Sequence, residues 1–382
     1  MYSFSRENTG LLAKWWRNVD KQILFLFVFL LFLGLFFSFS STTSVISEKM
    51  NKQTYFFFIK HLFFVSISLF LIVAISIQEK NKLTKFLIYL FVFSLILLFL
   101  TLIAGEEVKG SKRWLSVPFF SVNFQPIELV KPLFIIFIVR IIVLDEKTNI
   151  YRKYLNSFFV LLLIILILVN QPDIGQTLLL TSAWITIIFA AGFNMFILFL
   201  LSLIFLSIIF LLIFLLPEKF GYIFFRIKSF IDPKAGDNFQ TEKALEAIKQ
   251  GGLTGQGMGE GILKDRVPEA HTDYIIAVIT EEFGALFVLF IVMIFLFIGY
   301  KVLNKVFLEK DEFIKLALVG LISLLIIQTL IHIGVNTRLL PTTGMTLPFL
   351  SYGGSSLIGS SIIAGIILNF TRKDSTGYLE ND

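Results

Sequence analysis

The sequence contains no cysteine. Disulfides, thiolate metal sites and a cysteine nucleophile are therefore excluded. Its three histidines are too few and too scattered for a zinc site. Charge is scarce as well. Asp, Glu, Lys and Arg make up 16% of the chain, whereas hydrophobic residues make up 56% and the mean hydropathy is +0.85. A chain so short of charge lies outside the composition of soluble domains. The net charge of +6 does not point to nucleic acid, because basic residues near the ends of apolar runs set membrane topology. No internal repeat is visible, which removes support for the inverted-repeat plan of many transporters. No cleavable signal peptide is expected either. The first apolar run follows Lys14, Arg17 and Lys21, is too long for a signal core, and lacks a small-residue cleavage site.

What the chain does have is a series of nearly uncharged windows about twenty residues long, enough to cross hydrocarbon as helices. Long apolar runs without strict alternation exclude a barrel, since backbone in lipid must bond within its own segment. The expected fold is an all-α polytopic membrane protein with about ten transmembrane helices. Residues 1–21 form a cytoplasmic lead-in with Trp15 and Trp16 at the interface, 22–370 the transmembrane domain, and 371–382 a cytoplasmic tail. Short basic loops all fall on the side of the termini, which places both termini in the cytoplasm. One long loop, 217–273, lies outside between the seventh and eighth spans. Its stretch from Pro217 to Thr272 holds eight basic and eight acidic residues, so it is no basic patch. The eighth span is expected from Tyr274 to about Tyr300 and the tenth over roughly 349–370.

Polar chemistry concentrates at the outer ends of these spans. Gly251–Gly284 is a glycine-rich loop that passes through Pro268-Glu269-Ala270-His271-Thr272-Asp273 into an apolar helix. Asp273 at that helix start reads equally as a cap for the helix dipole or as a general base. The Gly255-x-Gly257-x-Gly259-x-Gly261 spacing is not a dinucleotide fingerprint, because no strand precedes it; alone it marks a flexible loop. Glu281 and Glu282 follow within the apolar helix, and at least one must face the bundle interior or water. Glu128 and Lys131 share a helix face, either as a self-contained salt bridge or as a cationic arm aimed at a phosphate beside Lys112 and Arg113. Asp173, in Gln-Pro-Asp, either caps the next span or joins the same pocket. Pro341–Ser356 is too rich in Gly, Pro and hydroxyls for lipid-exposed helix and reads as irregular backbone lining a cavity. Four clusters, near 110–131, 171–177, 251–282 and 336–356, thus predict one outward-facing cavity with acidic and basic groups opposed.

The motifs GSKRWL (110–115), QPIELVKP (125–132), QPDIG (171–175), GGLTGQGMGEGILKDRVPEAHTD (251–273) and LLPTTGMTLPFLSYGGSSL (339–357) resemble those of the SEDS family (shape, elongation, division and sporulation). They cover nearly the whole chain in order, and PEAHTD and LLPTTGMTLP resemble the division branch. The resemblance implies a peptidoglycan glycosyltransferase that polymerises lipid II on the outer face of the cytoplasmic membrane at the division septum. Lipid II flipping and elongation-type polymerisation are the alternatives. It implies Asp273 as general base, with Lys131, Arg113, Glu128, Lys60, Asp173, His271, Glu269, Lys264, Ser355 and Asn336 around the substrate and its pyrophosphate. The implied partners are a class B penicillin-binding protein (an FtsI-like transpeptidase) and other divisome membrane proteins. The resemblance implies no definite cofactor, and a divalent cation, magnesium or manganese, is an open alternative that would assist the leaving group. The pattern departs from the family at Ile127, at Thr343, and at Lys60, which keeps a charge but not the bidentate geometry of arginine.

Overall fold

In hydrocarbon an apolar run can satisfy its backbone only by closing every hydrogen bond within the segment, and this chain is accordingly helical. The computed structural model describes residues 10–41, 55–108, 111–117, 122–143, 149–194, 217–232, 238–263 and 266–373, with a few isolated positions between 196 and 215. The amphipathic α1 (Leu11–Asn18) leads into α2 (Lys21–Ser41), α3 (Phe56–Ile77) and α4 (Lys80–Ala104). Strands β1 (Glu106–Val108), β2 (Ser111–Val117) and β3 (Val122–Phe124) follow, then α5 (Ile127–Val143), α6 (Ile150–Asn170) and α7 (Ile174–Ala190). The second half holds α8 (Pro217–Ile231), α9 (Phe239–Gly251), α10 (Ile275–Phe283), α11 (Ala285–Leu308), α12 (Glu312–Asn336) and α13 (Gly354–Phe370).

Helices α2, α3, α4, α6, α11 and α12 are long and apolar enough to cross a membrane. Helices α5, α7 and α13 have 17 residues each, or about 26 Å of length against the roughly 30 Å of a bilayer core. All three begin at the same end of the bundle, so their shortness recesses the polar segments that precede them. The centre is α13. Its small residues Gly354, Ser355, Gly359, Ser360, Ala364 and Gly365 are spread around the helix and let neighbouring backbones approach on more than one side, as larger side chains would not. A Cβ on Gly359 would lie 2.5 Å from the Glu128 carbonyl oxygen, and one on Gly365 would lie 2.8 Å from Ile75. Residues 359–370 are buried without interruption.

Four expectations change. The segment expected as a loop between the third and fourth spans contributes a three-stranded antiparallel sheet, order β1-β2-β3. The outer loop is not irregular throughout, since 217–273 contains α8 and α9. The eighth span is not continuous from Tyr274: it breaks at Gly284 (φ 83), so α10 is a separate nine-residue helix and the membrane-length helix starts at Ala285. The last span begins at Gly354 and not near 349. The seventh span falls largely outside the described residues.

The glycine-rich loop is also more ordered than its composition suggests, because it packs on α10. Gln256 and Gly257 donate backbone N–H bonds to the Glu281 and Glu282 carbonyls at 2.9 and 3.0 Å. The Glu281 carboxylate accepts the Leu263 N–H at 2.7 Å, and that of Glu282 accepts the Gly259 N–H at 3.2 Å and the Ser40 hydroxyl. Both glutamates are buried. They anchor the loop and do not line the cavity. A Cβ on Gly255 (φ 79) would meet the Glu282 carbonyl oxygen at 2.3 Å, whereas Gly259 (φ 83) faces open space. Gly259→Ala is expected to cost only the left-handed backbone term, about 1–2 kcal/mol. Gly255→Ala should cost clearly more. Equal losses of thermal stability for the two purified variants in detergent would mean that the loop does not pack on α10.

Candidate active site

The turn bearing Asp273 is held by its carbonyls. The His271 carbonyl accepts the Tyr352 N–H at 2.9 Å, that of Thr272 accepts the Ser351 hydroxyl at 2.6 Å, and that of Asp273 accepts the Asn336 side-chain amide at 3.0 Å. From the other side, Thr272 and Tyr274 donate to the carbonyl of Glu269, whose φ of 56 is left-handed. The His271 ring packs between Phe57 and Tyr352, with centroids 5.2 and 5.7 Å away. Helix α10 takes Tyr274 as its N-cap without a side-chain cap bond. The half-buried Asp273 instead lines a cavity of about 600 Å³. Gly344 (φ 68) sits beside its carboxylate, where a Cβ would come within 3.5 Å of Oδ2.

Below that cavity lies a buried ion pair. Lys131 Nζ is 2.8 Å from Glu128 Oε2 and donates to Gln328 Oε1 at 3.1 Å. Gln176 donates to Glu128 Oε1 at 3.2 Å, and Gln328 passes the network on to the Thr346 carbonyl at 2.9 Å. Thr346 in turn bonds the Ser356 hydroxyl at 2.6 Å. Glu128 reaches the cavity surface and Lys131 does not.

Arg113 is committed to the turn between α6 and α7. Its Nε donates to the Gln171 carbonyl at 3.0 Å, Nη2 bonds the Pro172 carbonyl, and Nη1 stands 3.5 Å from Asp173 Oδ2. Asp173 caps α7, accepting the Gln176 N–H at 3.3 Å. Burial pushes its carboxyl above the ordinary carboxylate range, opposed chiefly by Arg113. The other cationic wall comes from Lys60 on α3 and Arg226 on α8. Arg226 Nη1 donates to the Thr342 carbonyl at 3.2 Å. Burial and the like charge of Arg113 pull its proton affinity below the usual guanidinium value, while Asp173 opposes this. Helices α5, α7, α10 and α13 all present their N-termini to this end, and the positive ends of their dipoles add to a field that suits an anionic ligand.

Comparison with known proteins agrees with this architecture. The profile of the FtsW/RodA/SpoVE family, described as a cell cycle protein family, matches residues 21–376. The chain belongs to that family. The probable peptidoglycan glycosyltransferase FtsW of Caulobacter vibrioides is 30% identical over 377 residues, covering 99% of this chain and 95% of the relative. Those of Haemophilus ducreyi and Francisella salina are 33% and 34% identical, over 93% and 92% of this chain and 90% and 88% of theirs. Among solved structures, RodA of Thermus thermophilus superposes with a TM-score of 0.68 at 22% identity, over 93% of this chain and 97% of that one. A chain from a study of polymerisation and crosslinking by a peptidoglycan synthase complex gives 0.74 at 21% identity, over 92% and 97%.

Of the residues singled out from sequence, Asp273, Lys60, Arg113, Glu128, Glu269 and Ser355 line the cavity. Lys131, Asp173, His271 and Asn336 lie behind it and hold those that do, so the expectation of Lys131 as an arm reaching a phosphate gives way to its burial against Glu128. Lys264 lies outside the described residues. The sequence reading missed Arg226, Gln176 and Gln328. Arg226 went unseen because 217–272 was taken as loop, where no helix face can be assigned. The isolated Gln328 in the apolar run of α12 was a readable signal. Among the described residues no three His, Asp or Glu side chains converge as a protein-only metal cage. A magnesium ion needs fewer protein ligands when a diphosphate supplies oxygens, and Asp273 or Glu269 could be one of them.

Removing one partner of the buried pair leaves a bare charge. Lys131→Met is expected to cost about 3–5 kcal/mol, read by thermal or denaturant unfolding in detergent. The double variant Glu128→Gln/Lys131→Met should recover most of that loss. A single variant as stable as the wild type would show that the pair is not the packed junction described here.

Proposed function

We propose that this protein is a peptidoglycan glycosyltransferase that polymerises lipid II on the outer face of the cytoplasmic membrane during septal wall synthesis. The observation that carries the reading is the clamped Asp273 turn: a carboxylate on a fixed backbone faces two cationic side chains across one cavity. In this reaction the Asp273 carboxylate takes the proton from the 4-hydroxyl of the acceptor GlcNAc. That oxygen forms a bond to the anomeric carbon of the donor, with inversion. The donor's carbon–oxygen bond to diphosphate breaks, and the electron pair leaves with the undecaprenyl diphosphate. Arg226 and Lys60, with the helix N-termini, stabilise the charge that develops there. Glu128 and Ser355 border the same space. Lys131 acts through Glu128 and not on substrate.

A class B penicillin-binding protein is the proposed partner and supplies crosslinking, with other divisome membrane proteins around the pair. The support is general: a solved neighbour comes from a study of a peptidoglycan synthase complex. Division is favoured over elongation by the names of the relatives, and polymerisation over flipping by the gathering of polar groups at one end of the bundle.

With its partner in a bilayer, the purified protein should polymerise lipid II, and Asp273→Ala should lower the rate by about 10²–10⁴-fold, the usual worth of a positioned base. Normal polymer from that variant would remove Asp273 from the chemistry. The orientation is separately testable because the chain has no cysteine. Met258→Cys should react with a membrane-impermeant maleimide on intact spheroplasts, and Lys310→Cys only after lysis. The opposite pattern would invert the topology.

A further inference from the structure

Beside the main cavity lies a second pocket of about 240 Å³, and Arg226 and Thr342 line both. Arg338 stands on the other wall of the side pocket, and Phe225, Phe230, Leu340 and Pro341 give it an apolar rim. Ser229, Asn238 and Thr241 complete it, and among the described residues no carboxylate lines it. Asn238 is spent on the Ser229 carbonyl at 3.0 Å and the Thr241 hydroxyl on the Asn238 carbonyl at 2.9 Å. The charged donors lining the space are the two guanidiniums, with the hydroxyls of Ser229 and Thr342 beside them. Arg338 holds a left-handed φ of 59 as the residue that closes α12, where Arg338 and Leu339 donate their N–H groups to the Val335 and Gly334 carbonyls at 3.1 and 2.7 Å.

We propose that this side pocket binds a second lipid-linked diphosphate. The inference rests on the polymerase reading above. Glycan polymerisation joins two molecules that each carry a diphosphate on a polyprenyl chain. One diphosphate leaves, and the other survives on the new chain end. The surviving one is a disaccharide away from the hydroxyl that reacts, so the cavity of Asp273 cannot hold both at once. At roughly 30 Å³ per water-sized group, the side pocket holds about eight such groups. That fits a diphosphate and the start of its chain but leaves no room for the sugars, which would extend into the main cavity. Two guanidiniums lining one pocket suit phosphate oxygens, each by its fork geometry, and the apolar rim suits the hydrocarbon. Arg226, shared by the two walls, gives a diphosphate a route from the side pocket to the leaving-group position between cycles.

The test is a binding titration of the full chain in detergent with farnesyl diphosphate, and separately with inorganic pyrophosphate. The wild type should take up two farnesyl diphosphates per chain. Arg338→Gly should take up one, or bind the second about tenfold more weakly, as expected for the loss of one charge-assisted contact. Glycine relieves the strained φ, so this variant should melt no lower than the wild type, and Arg338→Lys should retain part of the second site. One site in the wild type, or two unchanged sites in Arg338→Gly, would overturn the proposal. Pyrophosphate binding at the second site as tight as that of the lipid analogue would overturn its lipid-linked part. Binding is read without turnover, so loss of the second site in Arg338→Gly stands even if Asp273→Ala polymerises normally. In that case only the catalytic reading falls.

Discussion

The architecture depends on satisfying one buried pair of charges in a bundle that offers no water. Lys131 and Glu128, 2.8 Å apart on α5, are both almost completely inaccessible. Each must therefore find its remaining partners from other helices, or the desolvation penalty wins. Gln328 from α12 and Gln176 from α7 supply them, and Gly359 brings α13 against the carbonyl of Glu128 itself. Four helices are thereby fixed relative to one another at a single point, and that point is the floor of the cavity. A glycine at 359 is then a packing requirement, because a side chain there would push α13 off α5. The same constraint explains why Lys131 is held off the cavity: its bonds go to Glu128 and Gln328.

Above that floor, the turn bearing Asp273 is fixed from segments far away in sequence. The carbonyls of His271, Thr272 and Asp273 are each bound by a different donor, and these donors come from α12 and from the irregular 351–352 backbone. Held this way, the Asp273 backbone need not reorganise when substrate arrives, which is what makes a polar site effective in a recessed cavity. The glycine-rich loop has a related role. Its amides bind the carbonyls and carboxylates of Glu281 and Glu282, so the loop braces α10 while α10 positions the turn. Two ionisable residues inside an apolar helix thus serve the fold without entering the cavity.

Much of this was legible in the sequence, for identifiable reasons. Apolar windows report spans directly, because lipid permits only one backbone solution, and the four polar clusters converge on one cavity because there is nowhere else in hydrocarbon for them to go. The 341–356 segment was recognisable as irregular cavity lining by its Gly, Pro and hydroxyl content. What failed were judgements about local breaks and side-chain partners. The stop at Gly284 depends on its packing against the Leu253 carbonyl, a contact distant in sequence, where a Cβ would come within 2.2 Å. Arg226 could not be placed without knowing that Pro217–Ile231 is a helix. Lys131 and Arg113 carry the right charge in the right neighbourhood. Only the coordinates show that both are spoken for, one by Glu128 and Gln328, the other by the 171–173 turn.

That division between committed and available charge decides how the cavity can handle an anion. A guanidinium bonded to two carbonyls and set beside a carboxylate contributes field but few free donors, so Arg113 acts mainly by holding α7 in register and by raising the local potential. Arg226 gives one bond to the Thr342 carbonyl and lines both pockets. Its helix carries exposed Phe224, Phe225 and Ile227 around it. A cation flanked by exposed apolar side chains at the wall of a polar cavity is suited to a ligand that is itself an anion on a hydrocarbon chain. The helices with short spans reinforce the match. Glu128, Gln176 and Gly354, at the starts of α5, α7 and α13, all line the cavity, so the positive ends of these helices add to a field that favours an anion there.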